Sequence, residues 1–262
     1  MTAPADTPRS PAPFGTTAWA RTRDGCLSAT ERLAELARGI ASLARAEGER
    51  LGHRVGLAPR AFSLALDEVA WPDTPLTRAA LARLETTPAW NVGHSLRTYV
   101  FGAVLARRDG VTFDAELAFA AAALHDLGLV EPGPEACFAH RGAELARAVV
   151  LGAGATSDRA AAVADAICQH VDVSASPAEA FVVRTGAGFD VIGDRYTHLA
   201  PAVRRATIAR WPRDRFAASI TERLEAEARA HPGTRPAFLC GPLRFPQLVR
   251  RAERWFLRDA RR

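Results

Sequence analysis

Lysine is absent: all 34 basic residues are arginine, and against 29 acidic residues they leave a formal net charge of +5. An arginine-only chain reads as the coding bias of a GC-rich genome. Cysteine is sparse, at four positions (Cys26, Cys137, Cys168 and Cys240) with no CxxC pair. That excludes a zinc knuckle and a disulfide framework, and it fits a reducing cytoplasm. No apolar run reaches membrane-spanning length, and the first residues lack the charged-then-apolar order of a secretory signal. Tyrosine occurs twice and isoleucine is rare, while Ala, Leu, Arg and Glu dominate. Strand formers are thus scarce and helix formers abundant, which points to an all-α fold. The 262 residues, 48% hydrophobic, suffice for one large domain or two small ones with a real core.

Helix signals divide the chain. "MTAPADTPRSPAPFGTTA" is rich in Pro, Thr and Ala, and residues 1–27 read as a flexible leader. Ser28 and Glu31 form a capping box, so a helix is expected from about Thr30 to Gly48 within a helical extension over 28–70. Thr74 and Pro75 open the next helix and the main domain, 71–262 with its C-terminal helices. "PAWNVGHSLRTYVFGAVLARRDG" predicts a long helix ending near Asp109-Gly110. "TFDAELAFAAAALHDLGL" predicts one that starts near Asp114 and is closed by Gly128. Further helices follow in "HRGAELARAVVLGAG", in "TSDRAAAVADAICQHV" capped by Ser157 or Asp158, and in "PAEAFVVRTGAGFDVIG". Two or three more complete a bundle of roughly ten. No repeat and no strand alternation of any length occurs.

Several motifs carry little. "VVLGAGAT" lacks the third glycine of a dinucleotide loop, and the residues before it have helical spacing. GxSxG, HExxH and GKS/GKT do not occur. The basic cluster Arg250, Arg251, Arg254, Arg258, Arg261 and Arg262 reads as a solvated helix face, with a phosphate-contacting surface as the lesser reading. His53, His198 and His231 sit in loop-like or polar contexts and read as structural or exposed. Asp194 and Arg195 read as caps of the helix before them.

His125 and Asp126 are different, because they end a run that is apolar nearly all round. A helix of that kind is surrounded by protein, and an ionised carboxylate there costs several kcal/mol unless paired or bound to a metal. Asn91, His94 and Arg97 share one face of their helix at three-residue spacing. His170 falls on the apolar stripe of Val163, Ala166 and Ile167. Asp190 shares a face with Val183, Gly186 and Ala187. A divalent cation held by His94, His125, Asp126 and Asp190 would satisfy these groups together, and mixed nitrogen and oxygen ligation suits Zn, Fe, Mn, Co or Ni.

The order His94, His125-Asp126, Asp190 resembles the H…HD…D signature of the HD-domain superfamily of metal-dependent phosphohydrolases. "WPDTPLTRAAL", "NVGHSLRTYVFG", "AALHDLGL", "FAHRGAELA", "AICQHV", "GAGFDVIG" and "WPRDRFAASI" are similar to successive blocks of its cyanamide-hydratase-like branch, over about residues 70–240. The resemblance implies an all-α bundle around a central metal, with those four residues as ligands and one ion per chain. It places His170 in the pocket, for substrate contact, proton transfer or a second metal. Arg97 would hold a carboxylate with its fork or contact an anionic substrate. Two departures stand out. Asn91, expected as a further substrate contact, is separated from His94 by Val92-Gly93, where the branch has "NHSxR". Ala139-His140 stands where the branch often has a glutamate, leaving His140 as an extra ligand, a substrate contact or a surface residue.

The expected activity is hydrolysis of a small-molecule substrate by a metal-activated water. Asp126 takes the proton, and His170 or Arg97 assists the leaving group. A phosphate ester is the family default. The alternatives are hydration of a nitrile-type bond, a di-iron oxygenase using His140 and His170, and a sensor without catalysis. Neither a membrane nor a nucleic acid is an expected partner. A homodimer is one candidate assembly, because a lid, a dimer contact and extra packing are all open to the first seventy residues.

Overall fold

Start and stop signals act largely where the sequence puts them. The computed structural model describes residues 12–57, 60–133, 135, 137–173 and 177–260. Its helices are α1 Thr17–Arg23, α2 Ala29–Arg54, α3 Pro75–Glu85, α4 Ala89–Asp109, α5 Ala115–Leu124, α6 Leu127–Val130, α7 Phe138–Gly152, α8 Ser157–Gln169, α9 Ala178–Ile192, α10 Pro201–Arg210, α11 Phe216–Ala230, α12 Arg235–Cys240 and α13 Phe245–Ala260. Among the described residues the only β pairing is two isolated bridges, so the all-α expectation holds. Among the described residues no helix is long and apolar enough to cross a membrane.

The Ser28–Glu31 capping box forms at the start of α2, and Thr74 caps α3 with Pro75 in its first turn. Gly110 ends α4 and Gly193 ends α9, both with left-handed φ near 70°. Three boundaries depart from expectation. Helix α2 runs through Gly48 to Arg54, because an interior glycine costs only about 1 kcal/mol and need not stop a helix. Thr156, rather than Ser157 or Asp158, caps α8. The helix expected to run from Asp114 to Gly128 breaks at His125-Asp126, and Gly128 lies inside α6. A Cβ at Gly128 would lie 2.1 Å from the Phe138 carbonyl oxygen, so this glycine lets α6 and α7 touch rather than ending a helix.

Within the expected leader, the described residues are docked. Helix α1 buries Trp19, whose Nε1 donates to Glu31 at 2.9 Å. The Thr17 amide and hydroxyl donate to Asp165 on α8 at 2.8 and 2.6 Å. Residues 1–11 lie outside the described residues. At the other end, α13 buries Val249, Ala252 and Phe256 and turns Arg250, Arg254 and Arg258 outward, as a solvated face should. Arg251 instead pairs with Glu47 on α2 at 2.7 Å. Arg261 and Arg262 lie outside the described residues.

Helices α4 and α9 pack against each other along their length and carry His94 and Asp190 into the interior. Two glycines set this contact. A Cβ at Gly102 of α4 would lie 2.1 Å from the Val182 carbonyl oxygen, and one at Gly186 of α9 would lie 1.9 Å from that of Thr98. Backbone meets backbone there, so nothing can rotate aside. Gly186→Ala is therefore expected to destabilise the fold by about 1–3 kcal/mol or more, despite alanine's better helix propensity. Chemical denaturation checks this; an unchanged or raised midpoint would refute the close approach.

Candidate metal centre

Four helical segments deliver the central polar groups. His94 lies in the second turn of α4, His125-Asp126 forms the break between α5 and α6, His170 caps the C-terminus of α8, and Asp190 lies in the last turn of α9. His94, His125, Asp126 and Asp190 are all buried.

The tautomers follow from the partners. The His125 Nδ1 lies 2.8 Å from the Ala122 carbonyl oxygen, and the His170 Nδ1 lies 2.5 Å from that of Ile167. A carbonyl only accepts, so each Nδ1 carries the proton. The His94 Nδ1 lies 2.8 Å from the Asp190 Oδ2. Arg97 donates to both Asp190 oxygens, from Nε to Oδ1 and from Nη2 to Oδ2, each at 2.9 Å. That carboxylate is therefore ionised, and His94 too donates from Nδ1. All three Nε2 atoms are left with lone pairs. They converge on Asp126: His94 and His125 lie 3.6 and 3.5 Å from its Oδ2, and His170 lies 3.7 Å from its Oδ1. The His94 and His125 Nε2 atoms face each other at 3.2 Å. Among the described residues, the buried Asp126 Oδ2 has no hydrogen-bond partner.

Acceptors gathered without donors, in a dry interior, repel one another unless a cation lies among them. The atoms of His94, His125 and Asp126 lie within 4.8 Å of one another, close enough to share one metal ion. The donor set fits a divalent transition metal. Burial holds the His125 imidazole below its usual range and takes the His170 imidazole, beside His125, down to about 3. Both are therefore neutral at neutral pH, as ligation requires.

Asp190, expected as the fourth ligand, is not brought to this cluster. It sits on the far side of the His94 ring, and its oxygens are occupied. Besides Arg97, Arg213 donates from Nη1 to its backbone oxygen at 3.0 Å and also to its Oδ1. Burial alone would raise the Asp190 carboxyl, but Arg213 and Arg97, with the His94 bond, hold it far below the carboxylate range. Its role here is to fix the orientation and tautomer of His94, as carboxylates do behind metal-bound imidazoles.

The other expected substrate contacts also lie elsewhere. Arg97 is fully buried, with Nη1 donating to the carbonyls of Trp211 and Pro212 at 3.0 and 2.9 Å, so it holds a carboxylate and does not line the cavity. Asn91 donates to the Thr87 hydroxyl at 3.1 Å and His140 lies 3.6 Å from Glu144; neither lines the cavity at the cluster. His170 does line it. The cavity measures about 150 Å³, with apolar walls from Leu129, Phe138, Val191, Ile220, Leu224 and Phe245. The N-terminal extension contributes Ser42 of α2 to its lining.

Three residues escaped the sequence reading. Arg213 bridges Asp190 and Glu253, donating to the latter at 2.7 Å from Nη2. It comes from the turn before α11, where nothing local separates it from Arg210 or Arg215. Phe216 stacks on the His94 ring at 4.7 Å between centroids. Arg184 lines the cavity; its one signal was a charge on an otherwise small and apolar stretch of α9.

Two outcomes follow. Arg97→Met removes a bidentate partner from a buried carboxylate, so unfolding free energy should fall by about 3–5 kcal/mol in denaturant titration. A loss under 1 kcal/mol would show that Arg213 suffices. For His170, the unfolded imidazole takes up a proton near pH 6.5 and the folded one near 3, so the unfolded state binds more protons between these values. Its contribution is thus complete above about pH 6.5 and is lost as pH falls towards 3. Stability of the metal-free protein should decline across that window, and less steeply in His170→Gln.

No curated protein matches the chain. The family model of the HD domain matches residues 91–187, a segment that takes in His94, His125, Asp126 and His170 and stops short of Asp190.

Proposed function

We propose that this chain is a metal-dependent hydrolase of small substrates, phosphohydrolase-like in using a metal-activated water. The observation that carries this is the convergence of three acceptor nitrogens on the buried Asp126 carboxylate, whose Oδ2 has no hydrogen-bond partner among the described residues, at the wall of a cavity. The HD match supports the same class.

His94, His125 and Asp126 would hold the ion, with His170 beside them. A divalent cation so bound lowers the pKa of water towards neutrality and so supplies hydroxide. The remaining work belongs to the chain. Asp190, Ala122 and Ile167 keep each Nδ1 protonated, so every Nε2 offers a lone pair. The apolar walls exclude bulk water and strengthen each charge inside. The His170 Nε2, neutral and 3.7 Å from the Asp126 Oδ1, is placed to take a proton and return it to a leaving group. Asp126 is the second proton acceptor of the set.

Cavity size favours a second reading, hydration of a nitrile-type bond. About 150 Å³ accommodates a benzene-sized molecule, far smaller than a nucleotide. Neither Arg97 nor Arg213 has its charge free for a phosphate at the cluster, since Asp190 takes both. Small phosphomonoesters and small nitriles are therefore the substrates to compare. A di-iron oxygenase is less well supported, because His140 lies away from the cluster.

Purified protein is expected to carry about one transition-metal ion per chain by elemental analysis. His125→Ala and Asp126→Ala should abolish that content. The same variants should lose hydrolysis of small phosphomonoesters, or hydration of cyanamide, by more than the roughly 10–100-fold that loss of a supporting partner costs. Full activity in metal-free protein would overturn the proposal.

A further inference from the structure

The cavity has a second polar region, in which one guanidinium has no counter-charge in contact among the described residues. Ser42, Asp172, Arg184 and Asp194 line it along with the metal-binding cluster, and among the described residues no hydrogen bond or ion pair joins the two groups. Each carboxylate there faces an arginine, although the one facing Asp194, Arg45, also pairs with Glu49 at 2.9 Å. The Asp172 Oδ1 lies 2.8 Å from the Arg235 Nη1, and the Asp194 Oδ1 lies 3.7 Å from the Arg45 Nη2. Arg184 is left over. Asp194 and Asp172 are near enough to act on it electrostatically, yet among the described residues no acidic group lies within 4.0 Å of its guanidinium. Among the described residues its buried Nε has no partner and no acceptor takes either Nη. Burial lowers its pKa, with Asp194 opposing and Arg195 adding to the effect. A half-buried guanidinium in an apolar-walled cavity, with no contacting counter-charge, calls for an explanation.

We infer that Arg184 anchors the substrate, holding a carboxylate on a small apolar molecule whose reacting group lies at His94, His125 and Asp126. This rests on the metal-dependent reading of the same cavity. Arg45 and Arg235 are engaged by carboxylates, and Arg184 is the guanidinium at the cavity that none contacts. A carboxylate matches the planar fork of arginine. The apolar face between the two ends is supplied by α9 itself: Ala187, Gly188 and Val191 follow Arg184 at helical spacing and line the cavity. Arg184 and Asp190, the support of His94, are six residues apart, roughly 9 Å along the helix axis. A short-chain acid of about six to eight heavy atoms suits a cavity of this volume. Arg184 is thus the specificity-determining residue, selecting acids over neutral isosteres.

The test is calorimetric titration of metal-loaded protein with butyrate and with its neutral isostere butyramide, with metal content measured on the same samples. Wild-type protein is expected to prefer butyrate by about tenfold or more. R184Q should abolish that preference while metal content stays unchanged. Equal affinity for both probes, no binding of butyrate at about 10 mM, or an undiminished preference in R184Q would each overturn the assignment. Titration of metal-free protein separates the two possible anion sites. A preference that survives metal removal and disappears in R184Q belongs to Arg184; one that disappears with the metal and ignores R184Q belongs to the ion and overturns the inference. Protein that never binds metal but keeps an Arg184-dependent preference would sink the metal-dependent reading and leave this one standing. If R184Q does not fold, R184K decides. It keeps the charge without the fork, so butyrate should bind about threefold or more weaker, and unchanged affinity overturns the role.

Discussion

One buried carboxylate organises the centre of this molecule. Asp190 accepts from Arg97 and Arg213 and from the Nδ1 of His94, and each of these bonds crosses between different parts of the chain. An ionised carboxylate in this interior is tolerable only because two guanidiniums and an imidazole satisfy it. The arrangement ties α4 to α9, ties both to the turn before α11, and reaches α13 through Arg213 and Glu253. It also decides which nitrogen of His94 is available for chemistry. The close approach of α4 and α9 at Gly102 and Gly186 is the steric condition for those bonds.

The chemistry of the site follows from what remains unsatisfied. With each Nδ1 tied to an acceptor, His94, His125 and His170 all present lone pairs towards a carboxylate that already has them. No rearrangement of protons among neutral imidazoles removes the conflict without breaking one of those Nδ1 bonds. A cation removes it at once, and the residues are of the kinds that transition metals select. The surrounding wall is apolar and the cavity small, so polar recognition of a substrate must come from few groups.

Much of this was legible beforehand, and the reasons differ from residue to residue. His125 and Asp126 stood out because an almost wholly apolar run cannot hide two polar groups without partners. His94 and His170 stood out because helical spacing put them on core-directed faces. Asp190 stood out for the same reason, but spacing along α9 says nothing about which side of the His94 ring it approaches. Arg97 could be read as gripping either a carboxylate or a substrate; only burial and four bonds decide for the carboxylate. His140 and Asn91 carry the right chemistry and face the wrong neighbours.

By itself the sequence determined the all-α class, most helix caps and the set of polar residues that had to be reconciled with a dry core. These are local properties, set by propensity, capping and the period of the apolar pattern. The described part of the expected leader, the break in the helix at His125-Asp126 and the position of Asp190 behind His94 were decided only by tertiary structure. So were the contributions of Arg213, Phe216 and Arg184. The physical reason is that a side chain's partners lie tens of residues away in the chain. Which donor meets which acceptor depends on how closely, and on which face, two helices pack.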